Sequence, residues 1–291
     1  MAKVLANRQA IITGGSKGLG LEIALHYVEA GADIMICGRD QHSLNTAQAK
    51  LAKIAGSGQK IQVLLADVSV PQDAKRLFSE TISKLGGCHI LVNNAGIYGP
   101  KGDVESIDWI DWLNTMNVNI NGSVLMSRVA LPYFKQKRYG KIIQLSGGGA
   151  TSPLPKLSAY AVSKAAIVRF SETLAEEVRG YGIDVNAIAP GALNTGMLDE
   201  ILLAGPEKVG VEFYERSLKQ KKSGGAPLSR GAELAVFLAS SKSDGITAKL
   251  ISAIWDGWAD WDRHIDALNA TDVYTLRRIT GRDRNLDLGE I

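Results

Sequence analysis

The sequence has only two cysteines, Cys37 and Cys88, and no long apolar run. Two cysteines are too few for a disulfide framework and are typical of a reducing compartment, so we interpret both as core packing residues. No segment approaches the roughly 18 consecutive apolar residues of a membrane span, and residues 1–8 lack the apolar core and cleavage site of a signal peptide. These absences predict a cytoplasmic protein without a membrane partner.

The chain also has little net charge. Its formal charge is +3, and basic and acidic residues are interspersed along it. Because such a balance offers no basic surface, we predict no nucleic-acid partner; no metal site is predicted either. The remaining composition, 45% hydrophobic and 22% charged over 291 residues, is typical of a globular domain that buries a sizeable core.

Short apolar segments recur along the chain and indicate buried β-strands. The longer segments between them have helical spacing, as at Leu21, Ala24 and Val28. This alternation predicts βαβ units, and therefore a single doubly wound, Rossmann-like α/β domain whose parallel sheet of about seven strands carries helices on both faces. The predicted strands are Gln9–Thr13, Asp33–Cys37, Ile61–Ala66, Ile90–Asn93, Lys141–Leu145, Asp184–Ala189 and Leu250–Ile254.

Two segments depart from this alternation. Residues 196–227 contain several glycines and a lysine-rich run, which predicts a mobile loop that lies over a functional site. Residues 258–291 form a C-terminal extension beyond the α/β domain of residues 1–257. Helical spacing of apolar residues in the extension predicts a helix that packs on the domain or on a partner subunit. These apolar residues are Trp258, Trp261, Ile265 and Leu268.

The first predicted strand ends in a glycine-rich turn, TGGSKGLG, at Thr13–Gly20. Glycines let such a turn curve tightly and approach a pyrophosphate closely, and the following helix N-terminus supplies free N–H donors. The turn therefore predicts a dinucleotide cradle, although a single motif of this kind leaves open a βα turn that binds nothing. The predicted cradle residues are Gly14, Ser16, Lys17, Gly18, Leu19 and Gly20.

Further motifs follow the turn in a fixed order. Together with the T-G-x-x-x-G-x-G spacing of the turn, this series resembles the short-chain dehydrogenase/reductase family, a family of NAD(P)-dependent oxidoreductases. The resemblance covers about residues 8–257, and the motifs are highly specific in combination. They are Asp67-Val68, NNAG at Asn93–Gly96, Asn119 in NVNING, YAVSK at Tyr160–Lys164 and PGALNT at Pro190–Thr195.

The resemblance implies how these motifs would hold the cofactor. Asp67 would meet the adenine amino group and Val68 the adenine ring, while Asn94 would contact the ribose. Further cofactor-binding residues implied in this way are Ala95, Gly96, Pro190, Gly191, Leu193 and Thr195, the last two at the carboxamide.

The second predicted strand bears on which nicotinamide cofactor is used. In doubly wound sites an acidic residue after this strand selects NAD, whereas a nearby arginine accommodates the 2′-phosphate of NADP. Here the strand runs into Arg39, with Asp40 one position later, and Lys17 stands in the glycine turn. Two cations without a competing acid predict NADP(H) in preference to NAD(H). Solvated surface charge is the alternative explanation for each cation taken alone.

Tyr160 and Lys164 lie four residues apart in a predicted helix over Ser158–Tyr181 and therefore share a face. An ammonium near a phenol favours the phenolate and lowers the pKa of the tyrosine toward neutrality. We interpret Tyr160 as the general acid/base. The resemblance implies that Lys164 also bonds the nicotinamide ribose and that Asn119 holds a water linking the lysine to solvent.

One catalytic residue expected from the resemblance is missing. The family places a serine thirteen residues before the tyrosine, and that position is Gly147 in QLSGGGA. Ser146 is adjacent but should point to the opposite face of an extended strand unless the glycines distort it. Thr151, Ser152 or the Gly148 N–H are the other candidate donors, and Ser146 can equally be a strand-end hydroxyl without a catalytic role.

Together these features predict an NADP(H)-dependent oxidoreductase that interconverts a small-molecule carbonyl and an alcohol by hydride transfer. Because of Gly147, two alternatives stay open: a cofactor-binding sensor or scaffold without turnover, and a non-redox dehydratase or epimerase. The helices predicted near 108–137 and 158–181 are apolar on more than one side. The resemblance implies that they form a homo-oligomer interface, in a dimer or a tetramer.

Overall fold

The computed structural model describes residues 3–287 and Gly289. These residues form one parallel sheet of seven strands in the spatial order β3-β2-β1-β4-β5-β6-β7. The doubly wound fold is confirmed, and each predicted strand lies within two residues of its observed bounds. The strands are β1 (Gln9–Thr13), β2 (Asp33–Gly38), β3 (Ile61–Leu65), β4 (Ile90–Asn93), β5 (Gly140–Leu145), β6 (Ile183–Ala189) and β7 (Leu250–Ser252).

Helices cover both faces of the sheet because the central strands are apolar on both sides. Within β1, Ile12 packs into the core beneath α1, α2 and α9, and Ile11 packs into the core beneath α3, α5 and α6. The helices are α1 (Gly18–Glu29), α2 (Gln41–Ile54), α3 (Pro71–Leu85), α4 (Trp109–Met116), α5 (Gly122–Lys137), α6 (Ser158–Val178), α7 (Gly196–Val209), α8 (Val211–Ser223), α9 (Leu228–Ala239) and α10 (Ile265–Ala270). Cys37 and Cys88 are buried in the core beneath α3, α5 and α6, as expected of packing residues.

The strand order determines where a ligand can enter. The connection from β1 runs to β2 on one side, whereas β4 pairs with β1 on the other side. This reversal opens a crevice outside the carboxyl ends of β1 and β4, which is where doubly wound proteins bind nucleotides. The glycine turn after β1 and the NNAG motif after β4 both lie at this crevice.

Residues 196–227 are mostly helical, which differs from the predicted loop. Helices α7 and α8 occupy most of the segment, and α7 is kinked where Gly205 leaves the helical conformation at φ 78°. The helices form because apolar side chains within the segment pack against each other and against Tyr160. The glycines that suggested a loop instead mark the kink and the junctions of the two helices.

The C-terminal extension packs on its own domain, but as two short helices instead of one. Residues Trp258–Arg263 form a 3₁₀ turn, and His264 at φ −124° separates it from α10. In a 3₁₀ turn residues three apart lie on one side, so Trp258 and Trp261 are both buried in the core. Trp258 contacts the ring of Phe237 on α9 at a centroid distance of 5.8 Å.

No helix in the described part of the chain is long and apolar enough to cross a membrane. Residues 3–287 with Gly289 likewise hold no group of three or more His, Cys, Asp or Glu side chains suited to a metal ion.

Candidate active site

The turn after β1 has a backbone conformation that requires glycine at several positions. Gly14 and Gly18 have φ of +64° and +56°, a region that L-residues with side chains rarely adopt. A Cβ at Gly20 would overlap the carbonyl oxygen of Gly14 and the amide nitrogen of Asn94. The glycines therefore let the turn adopt its left-handed conformation and let the start of α1 pack closely against Asn94. The N-terminus of α1 thus lies at the crevice, where its free N–H groups can bind a phosphate.

Thr13 and Asn94 join the cradle to the end of β4. The Thr13 hydroxyl accepts from the backbone N–H groups of Asn94 and Ala95, each at 3.0 Å. The Asn94 side chain donates to the carbonyl oxygens of Thr13 at 2.9 Å and Gly14 at 3.2 Å. Asn94, predicted to contact the ribose, thus already uses its donors to fix the turn. Sequence reasoning assigned no role to Thr13, because a threonine at a strand end carries no signal for such a contact.

The PGALNT loop forms the opposite wall of the crevice. The methyl group of Thr195 would lie 3.6 Å from a Cβ added at Gly18, so the loop after β6 faces the glycine turn. Gly191 has φ of +90°, and Leu193 forms an isolated bridge with Ala226. Pro190 is buried beneath the loop, near Gly231 on α9. The structure thus brings the two motifs together across a cleft.

The two cations predicted to bind a phosphate lie at one corner of this cleft. Ser16 and Gly38 are in contact, with the Ser16 hydroxyl 3.3 Å from a Cβ added at Gly38, and their neighbours Lys17 and Arg39 are exposed. Asp40 caps α2 by accepting from the N–H of Ser43 at 2.7 Å. Its carboxylate is therefore engaged with the helix N-terminus.

Asp67 and Val68 lie beside this corner. The Asp67 carboxylate accepts from the Ser69 hydroxyl at 2.6 Å and is 3.9 Å from the Arg39 guanidinium. Val68 is buried and packs against Gly122 on α5. This position is that of a core valine. The contact of Val68 with an adenine ring stays a prediction.

Tyr160 and Lys164 project from the first turns of α6 into the same region. The Tyr160 hydroxyl makes no hydrogen bond to any described residue, whereas the Lys164 ammonium donates to the Leu145 carbonyl at 2.8 Å and lies 5.5 Å from the Tyr160 ring centroid. Gly96 is close by, because a Cβ there would lie 3.5 Å from the Lys164 nitrogen. The helix thus places both side chains next to the NNAG loop.

Burial has the largest effect on the pKa values of Tyr160 and Lys164. This differs from the sequence-based expectation that the lysine lowers the pKa of the tyrosine. Burial, together with a smaller effect of the nearby Tyr98, raises the pKa of Tyr160 well above its ordinary value. Burial also lowers the pKa of Lys164 to about 8. The physical reason is that both groups lose water while no carboxylate of the described residues acts on either of them, so the neutral form of each is favoured.

Asn119 is buried at a single turn of π-helix, Asn117–Asn121, between α4 and α5. Its side-chain oxygen accepts from the Ile97 N–H at 2.8 Å, and its nitrogen donates to the Ile97 carbonyl and to the Ser163 hydroxyl, both at 2.9 Å. Asn119 therefore clamps the loop after β4 to α6. The Ser163 contact was not predicted, although this serine lies within YAVSK.

Gly147 faces the Tyr160 hydroxyl, and Ser146 does not donate toward it. A Cβ at Gly147 would lie 2.5 Å from that hydroxyl, so the tyrosine occupies the space that a side chain at 147 would need. The Ser146 hydroxyl donates to the Lys164 carbonyl at 3.3 Å. The glycines do not rotate Ser146 toward Tyr160, and its hydroxyl contacts the backbone of α6. A catalytic role for Ser146 stays a prediction.

The buried lysine leads to a prediction about stability. With a pKa near 8 in the folded cofactor-free protein against an ordinary 10.5, Lys164 binds fewer protons in the folded than in the unfolded chain between these pH values. Stability of the wild type relative to Lys164→Met should therefore rise between pH 8 and 10.5, by about 3 kcal/mol. Urea unfolding of both proteins at several pH values measures this difference.

The lost hydrogen bond to Leu145 changes the free energy of unfolding of Lys164→Met by the same amount at every pH. The pH dependence of the difference from the wild type therefore reports the titration of the lysine alone. The exposed Lys75→Met serves as the control for loss of one ammonium group. A stability difference that stays flat from pH 8 to 10.5 would contradict the burial of a titrating Lys164.

The topology and the crevice define a Rossmann-type nucleotide-binding protein. A family model described as short chain dehydrogenase matches residues 8–204. The chain belongs to the short-chain dehydrogenase family, whose members are oxidoreductases that use NAD or NADP.

Individual relatives agree with this assignment. A short-chain type dehydrogenase/reductase of Picea abies is 32% identical over 255 residues, which cover 85% of this chain and 91% of that protein. An NADPH-dependent aldehyde reductase-like protein of Arabidopsis thaliana is 37% identical over 211 residues, covering 66% and 75%. Among solved structures, levodione reductase superposes with a TM-score of 0.79 at 25% identity, covering 88% of this chain and 99% of that one.

Proposed function

We propose that this enzyme reduces a carbonyl compound to an alcohol, or runs the reverse reaction, with NADP(H) as cofactor and Tyr160 as general acid/base. The observation that carries the proposal is the Tyr160 hydroxyl, which lies without a hydrogen-bond partner among the described residues, four residues from a buried lysine and beside the dinucleotide crevice. A buried phenol with a raised pKa stays protonated at neutral pH, which suits a proton donor to a developing alkoxide.

Tyr160, Lys164 and Asn119 would have separate roles in the reaction. When bound, the nicotinamide supplies or accepts the hydride. In reduction, the Tyr160 hydroxyl gives its proton to the carbonyl oxygen and becomes a phenolate. The Lys164 ammonium, close to the ring, stabilises that phenolate by its charge. Asn119 holds the NNAG loop and α6 at a fixed separation through Ile97 and Ser163.

The cradle fits a dinucleotide, and the corner formed by Lys17 and Arg39 favours one with a 2′-phosphate. Both side chains are exposed beside the Ser16–Gly38 contact, and the neighbouring Asp40 is engaged in capping α2. The Asp67 carboxylate lies 3.9 Å from Arg39 and also accepts from the Ser69 hydroxyl. The Arabidopsis relative, described as NADPH-dependent, is consistent with this preference. Lys17, Arg39 and the cradle glycines would hold the adenosine half of the cofactor.

The substrate would bind between Tyr160 and the two helices α7 and α8. Apolar side chains of these helices lie on the small cluster around Tyr160, which favours a substrate with an apolar part next to its carbonyl group. The residues concerned are Met197, Ile201, Ala204, Phe213 and Tyr214.

The test is NADPH consumption, followed by absorbance, with a panel that includes benzaldehyde, cyclohexanone and larger apolar ketones. We expect net NADPH oxidation with at least one member. Binding of NADPH without oxidation or conversion of any member would support the sensor alternative. Conversion of a substrate without net oxidation would support the dehydratase or epimerase alternative.

We also infer that the protein is a homo-oligomer. Trp109 and Ile110 on α4 are 62% and 70% exposed, and Val162 on α6 is 48% exposed; α4 and α6 pack against each other. Large exposed apolar side chains close together favour burial against a second copy. Sedimentation at micromolar concentration should show a dimer or tetramer, and Trp109→Glu combined with Ile110→Lys should shift it toward monomer. A wild type that sediments only as monomer would contradict the inference.

A further inference from the structure

We propose that the Tyr98 hydroxyl donates a hydrogen bond to the reacting oxygen of the substrate, in the place of the serine that the chain lacks at Gly147. This inference rests on the proposed carbonyl/alcohol chemistry. In this arrangement two tyrosine hydroxyls hold one oxygen: Tyr160 transfers the proton, and Tyr98 stabilises the charge that develops as the hydride arrives.

Tyr98 lies against the proposed proton donor. The ring centroids of Tyr98 and Tyr160 are 4.5 Å apart and the ring planes are inclined at 55°. Both rings belong to the cluster that also contains Leu157 and Ile201, next to α7 and α8. Tyr98 is therefore on the side of Tyr160 from which a substrate would approach.

The backbone around Tyr98 is fixed on both sides. The preceding residue, Ile97, is held through its N–H and its carbonyl by the Asn119 side chain. The following residue, Gly99, has φ of +73° and lies so close to Thr115 that a Cβ would overlap the threonine hydroxyl. A tyrosine whose backbone is fixed in this way and whose ring packs on Tyr160 needs little further ordering to meet a bound substrate, which is the condition for a useful oxyanion donor.

The Tyr98 hydroxyl is available for a ligand. It makes no hydrogen bond to any described residue, although the side chain is only partly exposed. Burial, and to a smaller degree the nearby Glu200, raises the pKa of Tyr98, and Lys101 pairs with Glu200 at 3.6 Å. Tyr98 therefore remains a protonated donor at neutral pH.

The other candidate hydroxyl donors are less well placed. The Ser146 hydroxyl is directed at the Lys164 carbonyl, and Thr151 and Ser152 are exposed on the loop before α6. A serine at 147 would itself require the Tyr160 hydroxyl to move. Tyr98, by contrast, has its ring in contact with that of Tyr160.

The test compares Tyr98→Phe with the wild type on the panel member that the wild type reduces fastest. The substitution removes one oxygen and keeps the ring, so packing in the cluster is preserved. We expect kcat to fall by about 100-fold, with an unchanged Kd for NADPH. Tyr139→Phe is the matched control: it removes a buried hydroxyl without a hydrogen-bond partner next to β5, at the far end of the sheet, and should keep full activity.

The outcomes separate this inference from the proposed function. If Tyr98→Phe keeps kcat within about threefold of an active wild type, Tyr98 is only a wall of the pocket and the inference is overturned while the function stands. If no carbonyl compound of the panel supports NADPH oxidation by the wild type, the proposed function is wrong, and this inference, which depends on it, is wrong as well. A loss of NADPH affinity in Tyr98→Phe that accounts for the lower rate would also overturn it.

Discussion

Replacement of Tyr160 by phenylalanine is expected to lower kcat by about 1000-fold, the middle of the range that general acid catalysis contributes. The variant lacks only the hydroxyl, and that hydroxyl has no hydrogen-bond partner among the described residues, so neither folding nor packing against Tyr98 should suffer. The Kd for NADPH, measured by fluorescence titration, should change little. The loss of rate would then lie in the chemical step.

Tyr139→Phe is again the control, since it makes the same chemical change at the opposite end of the sheet. Full activity of Tyr160→Phe on a substrate that the wild type reduces would show that the proton comes from another group. Because burial raises the pKa of Tyr160, the cofactor-free protein should also show no tyrosinate absorbance from this residue near neutral pH.

Substitution of both Lys17 and Arg39 by alanine should lower the ratio of kcat/KM for NADPH to that for NADH by between about 30-fold and 100-fold. Each cation would form a charge-assisted contact with the 2′-phosphate, and every tenfold change in affinity corresponds to about 1.4 kcal/mol. Because NADH lacks this phosphate, its kcat/KM should be nearly unaffected. The steady-state kinetics of both cofactors with one substrate measure the ratio.

Lys50→Ala combined with Lys53→Ala is the matched control. These lysines are exposed on α2 near its C-terminal end, so the double variant loses the same net charge away from the proposed phosphate corner. If the control lowers the ratio as much as the Lys17/Arg39 variant does, general electrostatic attraction explains the preference. If the ratio is unchanged in the Lys17/Arg39 variant, the phosphate lies elsewhere.

The sequence by itself was sufficient to predict the fold and the place of the crevice. Strands and helices follow from local periodicity, which is set by the 2.0- and 3.6-residue repeats of the backbone. The glycines of Thr13–Gly20 are informative for the same reason, since a positive φ at Gly14 and Gly18 is a local property that the residue type reveals. The shared face of Tyr160 and Lys164 likewise follows from their spacing along one helix.

The tertiary structure alone decided which groups meet and how strongly they are buried. The contact of Tyr98 with Tyr160, the Asn119 clamp on Ile97 and the direction of the Ser146 hydroxyl join segments far apart in the chain. Such contacts depend on how finished helices and strands pack, which local patterns do not encode. The pKa of Tyr160 illustrates this: its spacing from Lys164 in the sequence predicts a lowered pKa, but desolvation by the surrounding core raises it.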